Sequence, residues 1–374
     1  MSPVKKFYSL LLLFLLLTGS YLGSFEFSKR TIIEKASSLE NTLNENQKVV
    51  LDNFLKFLST TNVFFLFSSI EAGYSTRTFA EVLKREGNLS IGEVKMLHLT
   101  LKANNEYYSR YISPLRSFYP ITFGNKSPYG NVFFAEGGLN TSLPFVHYNF
   151  RGLVLYPVSA LHWADLYFKN GNIEGALKIL DELEGVMVLR KKDKIEYALF
   201  LNYFHFENSS VPWVSGYAQG LGAGLYAKAY QTTKNKTYLK TAKLLLNSFK
   251  IPYKEGGFVV NSPYGPWILE YGYNSNELVL NGHIIALQGL YYYWEVTKDP
   301  YAKELFDNGT VSVAKALPYF DKEGWSLYSN IHGKAMRKYH ELHIQLLEWL
   351  YEKTENEIFK EYAEKWKRSL KDVR

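Results

Sequence analysis

The 374-residue chain has no cysteine. Disulfides and thiolate chemistry are thereby excluded, and a chain of this length can bury a core without covalent bridges. It has no HExxH, no P-loop and no glycine-rich dinucleotide turn. The glycine cluster GLGAG at 220–224 falls inside a predicted helix with no strand before it and reads as helix packing. After the first 24 residues no apolar run approaches the length of a membrane span. Lysine and arginine form no concentrated stripe, which argues against nucleic acid as a partner.

Aromatic residues are plentiful: 30 Tyr, 25 Phe and 7 Trp make 17% of the chain. Tyrosine in excess suits a carbohydrate surface, where ring and hydroxyl act together, and equally suits bulk packing. The N-terminus, MSPVKKFYSLLLLFLLLTGSYLGS, has the positive flank, apolar segment and small residues of a secretory signal; read through Leu22, it is a short N-terminal membrane anchor. Either way the rest is expected to fold outside the cytoplasm. Sequons begin at Asn88, Asn125, Asn140, Asn208, Asn235 and Asn308 and lend export weak support. The formal charge of +7 fits an acidic glycan partner as well as a plain soluble surface.

Three regions follow from pattern. Residues 1–24 are the signal or anchor. Residues 25–144 mix helical stretches with the Gly-, Pro- and Asn-rich segment SFYPITFGNKSPYGNVFFAEGGLNTSLPF, read as loops and a short β-hairpin. Residues 145–374 hold four long apolar helices, each running through a polar turn into a more charged helix. The turns KNGN at 169, TKNK at 233, TKDP at 297 and TENE at 354 recur about every 60 residues. Helical hairpins at that period predict an all-α fold, an incomplete α/α toroid of about four hairpins with the apolar helices inside. Small residues at Gly216, Gly220, Gly222, Gly224 and Gly282 allow close packing there. The loops entering the inner helices then converge on one end and form the expected cleft.

Those loops and helix starts carry the candidate chemistry. His340 and His343 in KYHELHIQLL stand three apart on one helix face, but no third ligand is evident, so hydrogen bonding is the better reading than metal. Glu270 and Tyr271 precede the third inner helix and Tyr328 precedes the fourth, where packing and function remain equally open readings.

The stretches VPWVSGYAQGLGAGLYAKAYQTTKNKTYLKTA, EY followed by LNGHIIALQGLYYY, YHELHIQLL and FKEYAEKWKRSL, with LYPVSALHWADLYFKN ahead of them, resemble the C-terminal domain of the D-glucuronyl C5-epimerases over about residues 145–370. The resemblance implies a cofactor-independent isomerase that converts D-glucuronate to L-iduronate within a heparosan- or heparan-like polysaccharide. It places Tyr271, Tyr339, Tyr328 and Glu270 in catalysis. The candidate substrate-binding residues beside them are Asn281, His340, His343, Arg337, Arg151, Tyr156, Trp213 and Gln219, with no metal. One position departs: the arginine that the family has three residues after the loop tyrosine is Ile331, for which Arg337 or Arg151 are the candidate replacements. The chemistry asks for a base and an acid on opposite faces of carbon 5, and for a cation that neutralises the uronate carboxylate and lowers a tyrosine pKa. A uronate lyase on the same fold and a non-catalytic glycan-binding protein stay as alternatives, and homodimerisation is left open.

Overall fold

The computed structural model describes residues 26–35, 37, 40, 43–60, 71, 74–86, 90–110, 119–123, 133–134 and 139–372. The signal or anchor at 1–24 lies outside the described residues. Among those described, no helix is long and apolar enough to cross a membrane. The chain divides into two compact units, residues 1–188 with 202–212, and residues 189–201 with 213–374.

After the helical residues 26–35, the described part of unit 1 includes the helices α1 (Glu45–Thr60), α2 (Tyr74–Glu86) and α3 (Ile91–Tyr108). A capping box starts α3: Ser90 Oγ accepts from Glu93 N, and the Glu93 carboxylate accepts from Ser90 N at 2.7 Å. Four short strands follow, β1 (Tyr119–Thr122), β2 (Phe133–Phe134), β3 (Phe145–Tyr148) and β4 (Gly152–Leu155), in the order β2-β1-β3-β4. The tight hairpin is β3–β4, because Ile121 of β1 sits opposite both Phe133, in a parallel pair, and Phe145, in an antiparallel one. Buried Asn104 of α3 ties itself to β4, donating to Leu153 O and accepting from Leu153 N. The sheet therefore runs through residue 144, and the division into units comes after the first hairpin, α4 (Pro157–Lys169) and α5 (Ile173–Gly185). A second buried tie is Glu71. Burial alone would raise its pKa, but hydrogen bonds from His147, Tyr108 and Phe150 N hold it below the usual range.

Unit 2 is an arc of α/α toroid built from three hairpins. Inner helices α6 (Gly216–Thr233), α8 (Leu280–Thr297) and α10 (Arg337–Thr354) lead to outer helices α7 (Lys236–Asn247), α9 (Pro300–Phe320) and α11 (Glu357–Asp372). All three joining turns share one construction. Thr233, Thr297 and Thr354 hydroxyls donate to the carbonyl four residues back. The next residues, Lys234, Lys298 and Glu355, are left-handed with φ of 58°, 56° and 54°. Asn235, Asp299 and Asn356 then cap the outer helix, each side chain accepting a backbone N–H two residues on. Helices α6 and α8 meet backbone to backbone: a Cβ added at Gly289 would overlap Gly220 O, and one at Gly224 would overlap Gly289 O. That contact is what Gly220 and Gly224 make available.

Each inner helix of unit 2 is entered from a β-hairpin: β5 (Val188–Lys192) with β6 (Ile195–Leu199) before α6, β7 (Val259–Ser262) with β8 (Gly265–Ile268) before α8, and β9 (Asp321–Lys322) with β10 (Trp325–Ser326) before α10.

Candidate active site

The segments after these hairpins are braced against one another within unit 2. Gly216 N donates to Leu269 O and Gly272 N to Val214 O, both within 2.9 Å, which fixes residues 269–272 beside the start of α6. Farther on, Leu280 N donates to Tyr328 O, Asn330 N to Leu278 O, and Leu278 N to Asn330 Oδ1 at 2.6 Å. The loop carrying Tyr328 thus runs alongside the loop that follows Tyr271.

The tyrosines meet as a result. The Tyr271 and Tyr328 hydroxyls are 3.0 Å apart, and the Tyr328 and Tyr339 rings pack edge to face at 5.1 Å. Trp213 sets its edge against Tyr271 and Tyr273 at 6.2 and 5.4 Å. Beneath them Glu270 is 6% exposed, and its Oε2 has no hydrogen-bond partner. Burial, joined by the charge of nearby Glu277, pushes the Glu270 carboxyl up to about 8, so it is protonated at neutral pH. Gly282 leaves the room it needs: a Cβ there would overlap Glu270 Oε2 and come within 2.7 Å of Glu270 Cβ.

Burial, and then the charge of Glu270, raise the Tyr328 phenol far above its ordinary range; the same two causes raise Tyr339. Both shifts run opposite to the lowering expected from a neighbouring cation. Among the described residues, the basic side chains beside the cluster include Lys338, whose Nζ lies 4.8 Å from the Tyr339 ring centroid, and His332, whose ring meets Tyr328 at 6.1 Å. His332 Nδ1 is 2.9 Å from Oε1 of the fully buried Glu277. Lys338 opens the quoted KYHELHIQLL but was given no role there, and His332 and Glu277 fall outside every motif quoted above.

His340 and His343 have no exposed surface. The His340 ring stacks on Trp325 at 3.9 Å, its Nδ1 accepts from Ser326 N, and its Nε2 faces Trp366 O of α11 at 3.2 Å. His283 of α8 repeats this arrangement: it stacks on Trp267 at 4.2 Å, accepts from Ile268 N, and faces Gly309 O of α9 at 3.3 Å. The same three-point latch, recurring one hairpin earlier, makes His340 a fastener of hairpin to helix pair rather than a substrate ligand. His343 is spent on Ser326 Oγ at 2.8 Å and Asn281 Oδ1 at 3.3 Å, which places Asn281 behind the tyrosines as well. Gln219 serves the first hairpin of unit 2, accepting from Phe200 N and donating to Ala198 O and Ser248 Oγ. It too is corrected from substrate contact to scaffold, since its amide is wholly buried and bonded.

Arg337 is exposed and bonds Glu341 one turn on at 2.9 Å, while Ile331 is 56% exposed. Arg151 and Tyr156 belong to unit 1, where Arg151 lies 6.0 Å from the Tyr148 ring and Tyr156 packs edge-on against Phe204. Among the described residues no group of three or more His, Cys, Asp or Glu is arranged to hold a metal ion.

Known proteins bear on this geometry as follows. A D-glucuronyl C5-epimerase of Caenorhabditis elegans is 28% identical over 41% of this chain and 28% of its own length. An uncharacterized protein of Methanocaldococcus jannaschii is 33% identical over 44% of this chain and 54% of its own. The chain thus spans about half or less of the curated relatives it matches. Among solved structures, a polysaccharide lyase aligns over 88% of this chain and 85% of its own at 16% identity with a TM-score of 0.39. A glycosyl hydrolase family 88 protein from Bacteroides vulgatus aligns over 87% and 85% at 15% identity with a TM-score of 0.35. The family model for the D-glucuronyl C5-epimerase C-terminus matches residues 191–368, so the segment carrying Tyr271, Tyr328 and Tyr339 resembles the C-terminal domain of that family.

Proposed function

We propose that the chain is a uronate C5-epimerase, inverting D-glucuronate residues to L-iduronate in an acidic, heparosan-like polysaccharide outside the cytoplasm. The observation that carries this reading is the convergence of Tyr271, Tyr328 and Tyr339 over a buried, protonated Glu270, inside the segment that matches the epimerase C-terminus.

In this mechanism one tyrosine, as phenolate, takes the proton from carbon 5, and the electron pair left behind delocalises into the adjacent carboxylate. A second, neutral tyrosine returns a proton on the opposite face, so that the site ends with the same number of protons and the sugar with inverted carbon 5. Tyr339 and Tyr271 fill the two roles. Tyr328 touches both and carries protons between them. The uronate carboxylate lies toward Lys338, and this charge both stabilises the developing enolate and favours a phenolate at Tyr339. Glu270, held protonated, spares the site a negative charge that would oppose both effects.

Incubation with a glucuronate polymer in deuterated water tests this. Deuterium at carbon 5 without chain shortening is the expected result. Shortened chains with new ultraviolet absorbance assign the protein to the lyases instead, and binding with no exchange to the non-catalytic glycan binders. Tyr271→Phe and Tyr339→Phe are each expected to abolish exchange while keeping the native circular dichroism; full exchange in both rejects their assignment. Lys338→Ala is expected to lower kcat/KM by about 100- to 1,000-fold, the scale of one electrostatic stabiliser.

A further inference from the structure

Unit 1 contains an open cavity of about 640 Å³, walled by α3 with Lys95, His98, Lys102 and Asn105 and closed by Phe57 of α1 and residues of α5. A second cavity of about 600 Å³ shares Phe57, His98 and Lys102 with it and continues over α1 to Lys56. The two make one groove. Three acids line it: Glu182 accepts from the Thr141 hydroxyl and from Ser142 N, Glu106 lies 4.0 Å from Arg110, and Asp181 stands on α5. Lys95 and Lys102 are half-buried, and neither forms an ion pair among the described residues. Lys102 instead stands 5.8 Å from the Phe57 ring.

His98 lies between these lysines, its ring 5.7 and 5.1 Å from the Phe54 and Phe57 rings. Burial, and then the charge of Lys102, push its pKa down to about 4, so it is a neutral imidazole. Its Nε2 is buried without a hydrogen-bond partner. A buried nitrogen left in that condition is destabilising, and a hydroxyl placed in the groove relieves it. Lys95 and Lys102 are two turns apart on one helix face, about 10 Å along the axis. Two cations at that separation beside an aromatic ring suit an extended strand with repeated charges better than a single small anion.

We infer that this groove is a second glycan site: it holds an acidic polysaccharide strand, with carboxylates at Lys95 and Lys102, a sugar hydroxyl at His98 Nε2 and a sugar face against Phe57. The choice of an acidic glycan rests on the function proposed above; the groove itself does not. The test compares the full chain with its Lys95→Gln/Lys102→Gln variant, using unsulfated glucuronate polymer as the probe. Calorimetry is expected to show roughly tenfold weaker binding in the variant, with a raised KM and unchanged exchange rate at saturation. Unchanged affinity overturns the proposal, as does equal binding of the wild type to polyglutamate or to DNA, which reduces the groove to generic charge. If the wild type catalyses no exchange yet the variant loses binding, the epimerase reading fails and the groove stands. If exchange is present and both proteins bind alike, the groove fails and the epimerase reading stands. His98→Asn is a second check, expected to weaken binding of the polymer without altering exchange at saturation.

Discussion

Glu270 brings its carboxyl into a buried place with one oxygen that has no hydrogen-bond partner, beside a second buried carboxylate at Glu277. Its folded pKa of about 8 lies above the ordinary 4.5, so between these values the folded state binds a proton that the unfolded state has released. The sign follows: the group costs nothing below about pH 4.5, and stability falls as pH rises toward 8, by on the order of a few kcal/mol in total. Denaturation with urea across this range should show the decline, and Glu270→Gln should flatten it; equal slopes in both proteins would count against the buried acid. The same ionisation adds negative charge beside Tyr328 and Tyr339, so deuterium exchange should fall above about pH 8 in the wild type and not in Glu270→Gln. Gly282→Ala puts a methyl group where the Glu270 carboxyl lies. It is expected to cost about 1–3 kcal/mol of stability and to depress exchange more than glycan binding, measured by melting and kinetics on one preparation.

Elements are where sequence and structure agree most closely, and also where one reading changes. The repeated Thr-Lys-Asn and Thr-Lys-Asp turns were legible because the left-handed residue and the cap that follows are set by local chemistry, visible in four or five consecutive letters. The alternation of apolar and charged helices marked the hairpins for the same reason. The role of His340 was not legible, because its partners Trp325, Ser326 and Trp366 stand 14 to 26 residues away and only the fold assembles them. The comparison with His283 supplies a test. His340→Ala and His283→Ala should each cost about 2–4 kcal/mol, for a lost stack and an orphaned N–H, with similar losses in both. A substrate role for His340 would instead appear as a KM effect in a protein of near-normal melting temperature. Lys338, His332 and Glu277 escaped sequence reasoning because Lys338 stands at the edge of a motif and the other two outside one, where neighbourhood alone gives a side chain no direction.

Across the whole molecule, the chain passes between its two compact units three times, after residues 188, 201 and 212. Cutting at a helix boundary does not release an intact half. A fragment starting at Trp213 keeps all three hairpins of unit 2 but loses residues 189–201, which supply Ala198 O and Phe200 N to the buried Gln219 amide. Such a fragment should melt at a lower temperature than one starting at Leu189, by circular dichroism, and equal melting would show that β5 and β6 are dispensable. The contact of α6 with α8 through Gly220, Gly224 and Gly289 has a mechanical meaning as well. Two helices touching through main chain have no side chains to re-pack between them, so this pair behaves as an anvil. Under the proposed function, a sugar docking on the tyrosines is expected to meet a stiff floor, since Gly282 of the same α8 packs against the Glu270 carboxyl.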